Sequence, residues 1–256
     1  MYAICHLSIV PVRKEPADRS ELVTQLLFGD LLEIISEAGN WRNIRIMNDG
    51  YEGWVDWKQI RLLSDEQALI INSCPVILSD DIVHSSTLPN ESYVNIVLGS
   101  QLPLLSDSQF ELGGQTYLFA GKTIRPNRPS AISVRNQAMK YLNTPYLWGG
   151  KSPFGIDCSG FTQMVYRLNG ISLPRDTWQQ AATGQPVAWE DGLQEGDLAF
   201  FSNAEGKVIH VGIVLTGLQI IHASGMVRID SLIQSGIQHG ESRQQTHSLH
   251  SIRRFF

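Results

Sequence analysis

Cys158 stands in the run Gly149-Gly150-Lys151-Ser152-Pro153-Phe154-Gly155-Ile156-Asp157-Cys158-Ser159-Gly160-Phe161, and His210 follows in Val208-Ile209-His210-Val211-Gly212-Ile213-Val214. A cysteine at a turn-to-helix junction, with a histidine downstream in an apolar strand, is the combination of a sulfur nucleophile and its base. If Cys158 opens a helix, the partial positive charge there favours the thiolate, and a neighbouring imidazolium adds to it. His210, held among Val208, Val211 and Ile213, would take the thiol proton and later hand it to a leaving amine. His222 lies in Ile220-Ile221-His222-Ala223-Ser224-Gly225, after a hairpin marked by Gly217. An antiparallel return brings it beside His210, where it would orient the imidazole as Asp or Asn does in other triads.

Each residue also has a plainer role. A single cysteine is usually a small buried hydrophobe, and a single histidine on an apolar strand is usually a satisfied core group. Here Asp157, Ser159 and Gly160 surround the sulfur with polar and small residues, and two histidines follow on paired strands. Cys158, His210 and His222 are also zinc-ligand types, but no fourth ligand stands at metal-like spacing. No metal or cofactor is expected.

These residues need elements to hold them. Ser130 can cap a helix whose apolar face is Ile132, Val134, Ala138, Tyr141 and Leu142, ending at Asn143-Thr144-Pro145. A second helix carries Phe161, Met164, Val165 and Leu168 and stops at Asn169-Gly170. Arg175 and Asp176 either line the cleft or cap entry to a helical segment at 177–182, the cap being favoured, and Trp148 is expected to pack beneath the Gly-rich turn. Strands follow at 198–201, 208–215, 218–222 and 252–256. Helices followed by strands give an α+β domain with an antiparallel sheet.

Upstream the pattern is β throughout. Short apolar runs at 3–12, 22–28, 31–36, 41–46 and 53–55 are broken by turn signals, of which Asn48-Asp49-Gly50 is the strongest. Runs at 68–72, 75–78, 93–97 and 117–119 repeat the theme. Two small β-barrels, 1–64 and 65–128, are therefore expected before a domain spanning 129–256, with the change of character at Arg125-Pro126-Asn127-Arg128-Pro129-Ser130.

Composition excludes several classes. The 256 residues are 43% hydrophobic and 18% charged, enough apolar material for ordinary cores. A net charge of −5 offers no basic footprint, so neither nucleic acid nor a membrane surface is an expected partner. Cys5, Cys74 and Cys158 are too far apart for a disulfide framework, and no apolar stretch is long enough for a membrane span. A monomer is expected. The location would be cytoplasmic if Met1 is the native start, and periplasmic or secreted otherwise.

Taken together, Tyr146-Leu147-Trp148-Gly149-Gly150, Asp157-Cys158-Ser159-Gly160-Phe161, Leu173-Pro174-Arg175-Asp176, Gly196-Asp197-Leu198, His210-Val211-Gly212-Ile213 and Ile221-His222-Ala223-Ser224-Gly225 resemble the successive motifs of the NlpC/P60 cysteine peptidases. The N-terminal half resembles the bacterial SH3 domains that precede such catalytic domains, with Tyr51-Glu52-Gly53-Trp54-Val55 as its marker. The resemblance implies a papain-like α+β domain acting on murein tri- and tetrapeptides. The architecture is similar to that of γ-D-glutamyl-L-diamino acid endopeptidases, which cleave after L-Ala-γ-D-Glu when the L-Ala amine is free. It further implies that Cys158 attacks the γ-glutamyl carbonyl, that His210 is the base oriented by His222, and that the Cys158 backbone N–H and Tyr146 stabilise the oxyanion. Asp157 and Ser159 would hold the free amine, with Glu21 and Tyr51 contributed by the first SH3-like domain. A wall beyond the terminal L-Ala would exclude intact, lactyl-substituted wall peptides and leave freed fragments for recycling or degradation. Two other classes remain: a wall-binding SH3 protein with an inactive peptidase half, and an amidase or acyltransferase of related fold.

Overall fold

Alternating apolar residues at the start of the chain give strands with one face inward. The structure, a computed structural model, describes residues 1–90 and 92–256, which form two compact units, Met1–Pro126 and Asn127–Phe256. In the first unit Tyr2–Cys5, Ile9–Arg13, Leu22–Leu27, Leu31–Ala38, Trp41–Ile46, Glu52–Asp56 and Ile60–Leu63 make a seven-stranded antiparallel sheet. Val10, Val12, Leu26, Leu32, Ile44, Ile46 and Val55 fill its core. The run expected at 3–12 is two strands, and Ile60–Leu63 was not anticipated.

The segment 68–72, expected to be a strand, is instead helical within Asp65–Ser73. Its apolar run suits a strand, but Ser64 and Gln67 form a capping box: the Gln67 N–H donates to Ser64 Oγ at 3.1 Å and the Ser64 N–H to Gln67 Oε1 at 3.0 Å. Two satisfied backbone donors outweigh the β preference of the run. A four-stranded sheet follows in the order Tyr93–Val97, Val83–Thr87, Gln115–Leu118, Gln109–Leu112. Ile4, Leu31 and Leu63 of the first sheet, with Phe28 in a turn beside it, share one core with Ile96, Phe110, Tyr117 and Phe119.

The second unit carries the chemistry. Helix α1 (Ala131–Met139) begins at the expected cap, where the Ser133 N–H donates to Ser130 Oγ at 3.2 Å. Helix α2 (Cys158–Leu168) is buried along its whole length, and α3 (Thr177–Ala181) is a single short turn. Fully enclosing Phe161 and Met164 contributes about 2 kcal/mol each. Six antiparallel strands follow: β1 (Leu198–Ser202), β2 (Val208–Leu215), β3 (Gln219–Ser224), β4 (Met226–Ile233), β5 (Gly236–Gln238) and β6 (Gln245–Arg254). Each pairs with the next, β6 also returns to β1 and closes the set, and the short strand Gln185–Pro186 adds to β6. Strands β4 and β5 were not anticipated: in β4, Ser231 breaks the alternation of Val227 and Ile229 with Arg228 and Asp230, and β5 is only three residues long. Among the described residues no helix is long and apolar enough to cross a membrane.

Candidate active site

The Gly-rich segment brings the start of α2 onto a loop. Lys151–Ser152 and Gly155–Ile156 pair as a tight hairpin, and Gly149 adopts φ 75°, open to a residue without Cβ. Gly160 packs on the Gly150 carbonyl so closely that any Cβ would overlap it. Asp157 caps the helix, accepting from the Gly160 N–H at 2.7 Å, and pins the loop by accepting from the Gly149 N–H at 2.8 Å. Cys158 is thus placed in the first turn of α2 as expected.

Its protonation is not as expected. The sulfur lies 3.8 Å from Thr177 Oγ1 and is hydrogen-bonded to the backbone of Val211. Burial first, and then the Asp157 charge, push the thiol up to about 11. The helix-start field is worth about 0.3–1 kcal/mol, less than the cost of an anion buried beside a carboxylate. The resting group is therefore a neutral thiol. No hydrogen bond joins the sulfur to His210 among the described residues; the contact with β2 runs through Val211, the residue after it.

The histidines lie on a diagonal across three strands. His222 stands opposite Gly212, two residues beyond His210 on the same face of β2. Gly212 leaves room for this, because a Cβ there would come within 2.9 Å of His222 Cβ. His210 Nε2 lies 2.9 Å from His222 Nδ1, as the hairpin predicted. The diagonal continues to β4, where Asp230 pairs with Ile220 and presents Oδ2 3.0 Å from His222 Nε2. Arg228 forks onto the same carboxylate at 2.8 and 3.0 Å, and the Gly240 N–H donates to it at 2.8 Å. His247 of β6 stacks on His210 with ring centroids 4.2 Å apart. Arg228, Asp230 and His247 were not anticipated. Only the i, i+2 spacing of Arg228 and Asp230 hinted that both face one side of a strand.

Burial, followed by the neighbouring His222 and His247, holds His210 well below the usual imidazole range. Burial would raise the Asp230 carboxyl, but hydrogen bonds from His222, Arg228 and Gly240 hold it well below the usual carboxylate range. Burial also lowers His247, to about 4. The sign of the linkage follows. An unfolded histidine binds its proton below about 6.5 while these folded ones stay neutral, so their stabilisation is complete above that pH and declines as pH falls. His210 alone accounts for up to about 1.4 kcal/mol per pH unit, and half-exposed His247 for less because solvent screens it. Thermal unfolding is expected to move steadily down between pH 6.5 and 4, with a shallower slope in His210→Gln. A flat profile over that interval would contradict a His210 held neutral by burial.

Asp157 and Ser159 are joined by a residue whose expected role changes. Arg175, 2% exposed, does not cap α3; it donates to Asp157 Oδ1 at 3.0 Å, to Asp157 Oδ2 at 2.6 Å and to Ser159 Oγ at 2.8 Å. The α3 entry is served by the Asp176 N–H donating to Gln179 Oε1 at 3.2 Å. Burial, then Cys158 and Asp157, push the Tyr146 hydroxyl up to about 12, so it stays an O–H donor. Trp148, expected beneath the Gly-rich turn, is 63% exposed, because the hairpin's close approach of Gly150 and Gly155 leaves no space below it. Glu21 and Tyr51 belong to the other unit. Glu21 accepts from Lys14 at 3.4 Å on an exposed hairpin, and Tyr51 packs against the sheet core at a turn where its N–H donates to Asp49 Oδ1 at 3.0 Å. Among the described residues no group of three or more His, Cys, Asp or Glu side chains is placed to hold a metal ion.

A neutral thiol, a neutral imidazole backed by a second imidazole and a carboxylate, and a phenolic donor suit attack on an acyl carbonyl. The family model described as NlpC/P60 family matches residues 143–245, and one described as Bacterial dipeptidyl-peptidase Sh3 domain matches residues 12–60. The chain is 30% identical over 228 residues to a gamma-D-glutamyl-L-lysine dipeptidyl-peptidase of Bacillus cereus, covering 80% of this chain and 68% of that protein. It is 29% identical over 253 residues to a dipeptidyl-peptidase 6 of Lysinibacillus sphaericus, covering 88% of each. The crystal structure of an NlpC/P60 family protein from Bacillus cereus shares its fold, with a TM-score of 0.85 at 24% identity over 100% of this chain and 99% of that one.

Proposed function

This chain belongs to the NlpC/P60 family of cysteine peptidases, and on that premise we propose that it hydrolyses the γ-D-glutamyl-L-diamino acid bond of murein peptides bearing a free N-terminal L-Ala. The products are L-Ala-γ-D-Glu and a peptide beginning with Lys or meso-diaminopimelate. The observation that carries this reading is the likeness to gamma-D-glutamyl-L-lysine dipeptidyl-peptidase across 80% of the chain, together with the Cys158, His210 and His222 constellation. Cys158 forms the thioester with the γ-glutamyl acyl group, His210 moves the proton, and the Cys158 N–H and Tyr146 O–H receive the oxyanion.

Selectivity for a free amine is proposed to come from Asp157 and Ser159, beside the nucleophile. A substrate ammonium would share Asp157 with Arg175, since each carboxylate oxygen already accepts a guanidinium and a backbone N–H.

Mass spectrometry of defined peptides tests the scheme. L-Ala-γ-D-Glu-L-Lys and its meso-diaminopimelate counterpart are expected to release the dipeptide, while N-acetylated versions lose at least about 100-fold in kcat/KM. Equal cleavage of both forms would point to a related amidase or acyltransferase. Binding without cleavage would point to a wall-binding protein.

A further inference from the structure

One carboxylate settles where every proton of the histidine pair sits. Asp230 takes the Arg228 fork and the Gly240 N–H, and an ionised carboxylate accepts hydrogen bonds and donates none. His222 Nε2, 3.0 Å from Asp230 Oδ2, must therefore carry the hydrogen. In the neutral form of His222 that single N–H is the only one on the ring, which leaves Nδ1 bare. That bare nitrogen lies 2.9 Å from His210 Nε2, which must then be the donor between the two rings. The only lone pair left on His210 is at Nδ1. We infer that Asp230 is a positioning residue that sets both tautomers and so selects Nδ1 of His210 as the nitrogen that receives the Cys158 proton.

Among the described residues nothing else packed around the rings competes for this role. His247 offers His210 its flat face at 4.2 Å, its own Nδ1 lying 2.9 Å from Thr246 Oγ1, and Phe201 brings only an apolar ring at 5.9 Å. Arg228 is turned onto Asp230.

The inference rests on the proposed roles of Cys158 and His210, and the step it describes is balanced. As sulfur bonds to the acyl carbon, the carbonyl π pair moves to oxygen and the thiol proton passes to His210 Nδ1. The imidazolium so formed keeps its Nε2–H on His222, whose own Nε2–H points at the Asp230 anion. Collapse of the adduct restores the carbonyl and expels the amine, which takes the proton from Nδ1.

Two-bond proton–nitrogen correlation spectra of the full-length protein at pH 7.5 test the assignment directly. Both His210 and His222 are expected as Nε2–H forms in the wild type. In Asp230→Asn, the side-chain amide can donate to His222 Nε2, so Nδ1–H forms should appear. The expected kinetic cost is about 100-fold in kcat with KM changed less than about twofold, the mark of lost orientation and not lost binding. A wild-type His222 carrying its hydrogen on Nδ1 would overturn the inference, and so would an Asp230→Asn protein of unchanged kcat. If that variant does not fold, the wild-type spectrum decides alone. A wild type showing both Nε2–H forms but cleaving no peptide would sink the proposed reaction and still support the proton assignment.

Discussion

Cys158→Ala is expected to abolish dipeptide release, lowering kcat by about 10⁴-fold or more, while thermal unfolding barely moves. The first half follows from the nucleophile: Cys158 opens α2 and contacts the backbone of Val211 on β2. The second half follows from protonation. With the thiol pushed up to about 11, Cys158 is a neutral side chain whose partners are a hydroxyl at 3.8 Å and a backbone group of Val211. Removing it breaks no ion pair and opens a void of one sulfur atom, worth about 1 kcal/mol. A large loss of stability would mean that the sulfur is held as an anion by a charge partner, and appreciable residual turnover would mean that it is not the nucleophile. The pH dependence of unfolding should survive this substitution, because His210, His222 and Asp230 retain their mutual contacts.

Arg175→Met should do the opposite, with its largest effect on folding. The guanidinium neutralises Asp157, which is 7% exposed, and holds Ser159 at the same time. Taking away one member of a buried pair leaves a stranded charge, at a cost of about 3–5 kcal/mol. Here the stranded carboxylate is also the cap of α2 and the anchor of the Gly149 loop, so the damage falls on the nucleophile's own support. Urea unfolding measures this as a lower midpoint at unchanged slope. Adding Asp157→Asn should recover much of the loss, since a neutral amide oxygen still accepts from Gly149 or Gly160 without requiring a counter-ion. An unaltered midpoint in the single variant would show that the pair contributes nothing net.

The nucleophile and the two histidines were legible because each sits in a local pattern: a glycine-flanked helix start, an apolar strand, a hairpin return. Asp230 and His247 were not, because their contribution depends on which strands are neighbours and in what register, and the partners of Arg175 were not, because it reaches across the fold to Asp157 and Ser159. Asp230 meets His222 only through the pairing of β3 with β4, and no periodicity in the chain states that pairing. The protonation of Cys158 was misjudged for a related reason. A helix start can be read from Asp157-Cys158-Ser159-Gly160, whereas the depth of burial that overrides it belongs to the packed unit. Likewise the helix at Asp65–Ser73 depends on the capping box of Ser64 and Gln67, which the apolar run at 68–72 does not reveal.

The return of β6 to β1, together with its pairing to β5, leaves none of these six strands with a bare margin on which to slide. Moving β4 by one residue would turn Asp230 to the opposite face, and such a move would require breaking the ladders that hold β4 to β3 and to β5. The relay from carboxylate to imidazole to imidazole is thus guarded by connectivity: drift in the surrounding apolar residues can alter how firmly the sheet holds, but it cannot gradually detune the relay itself.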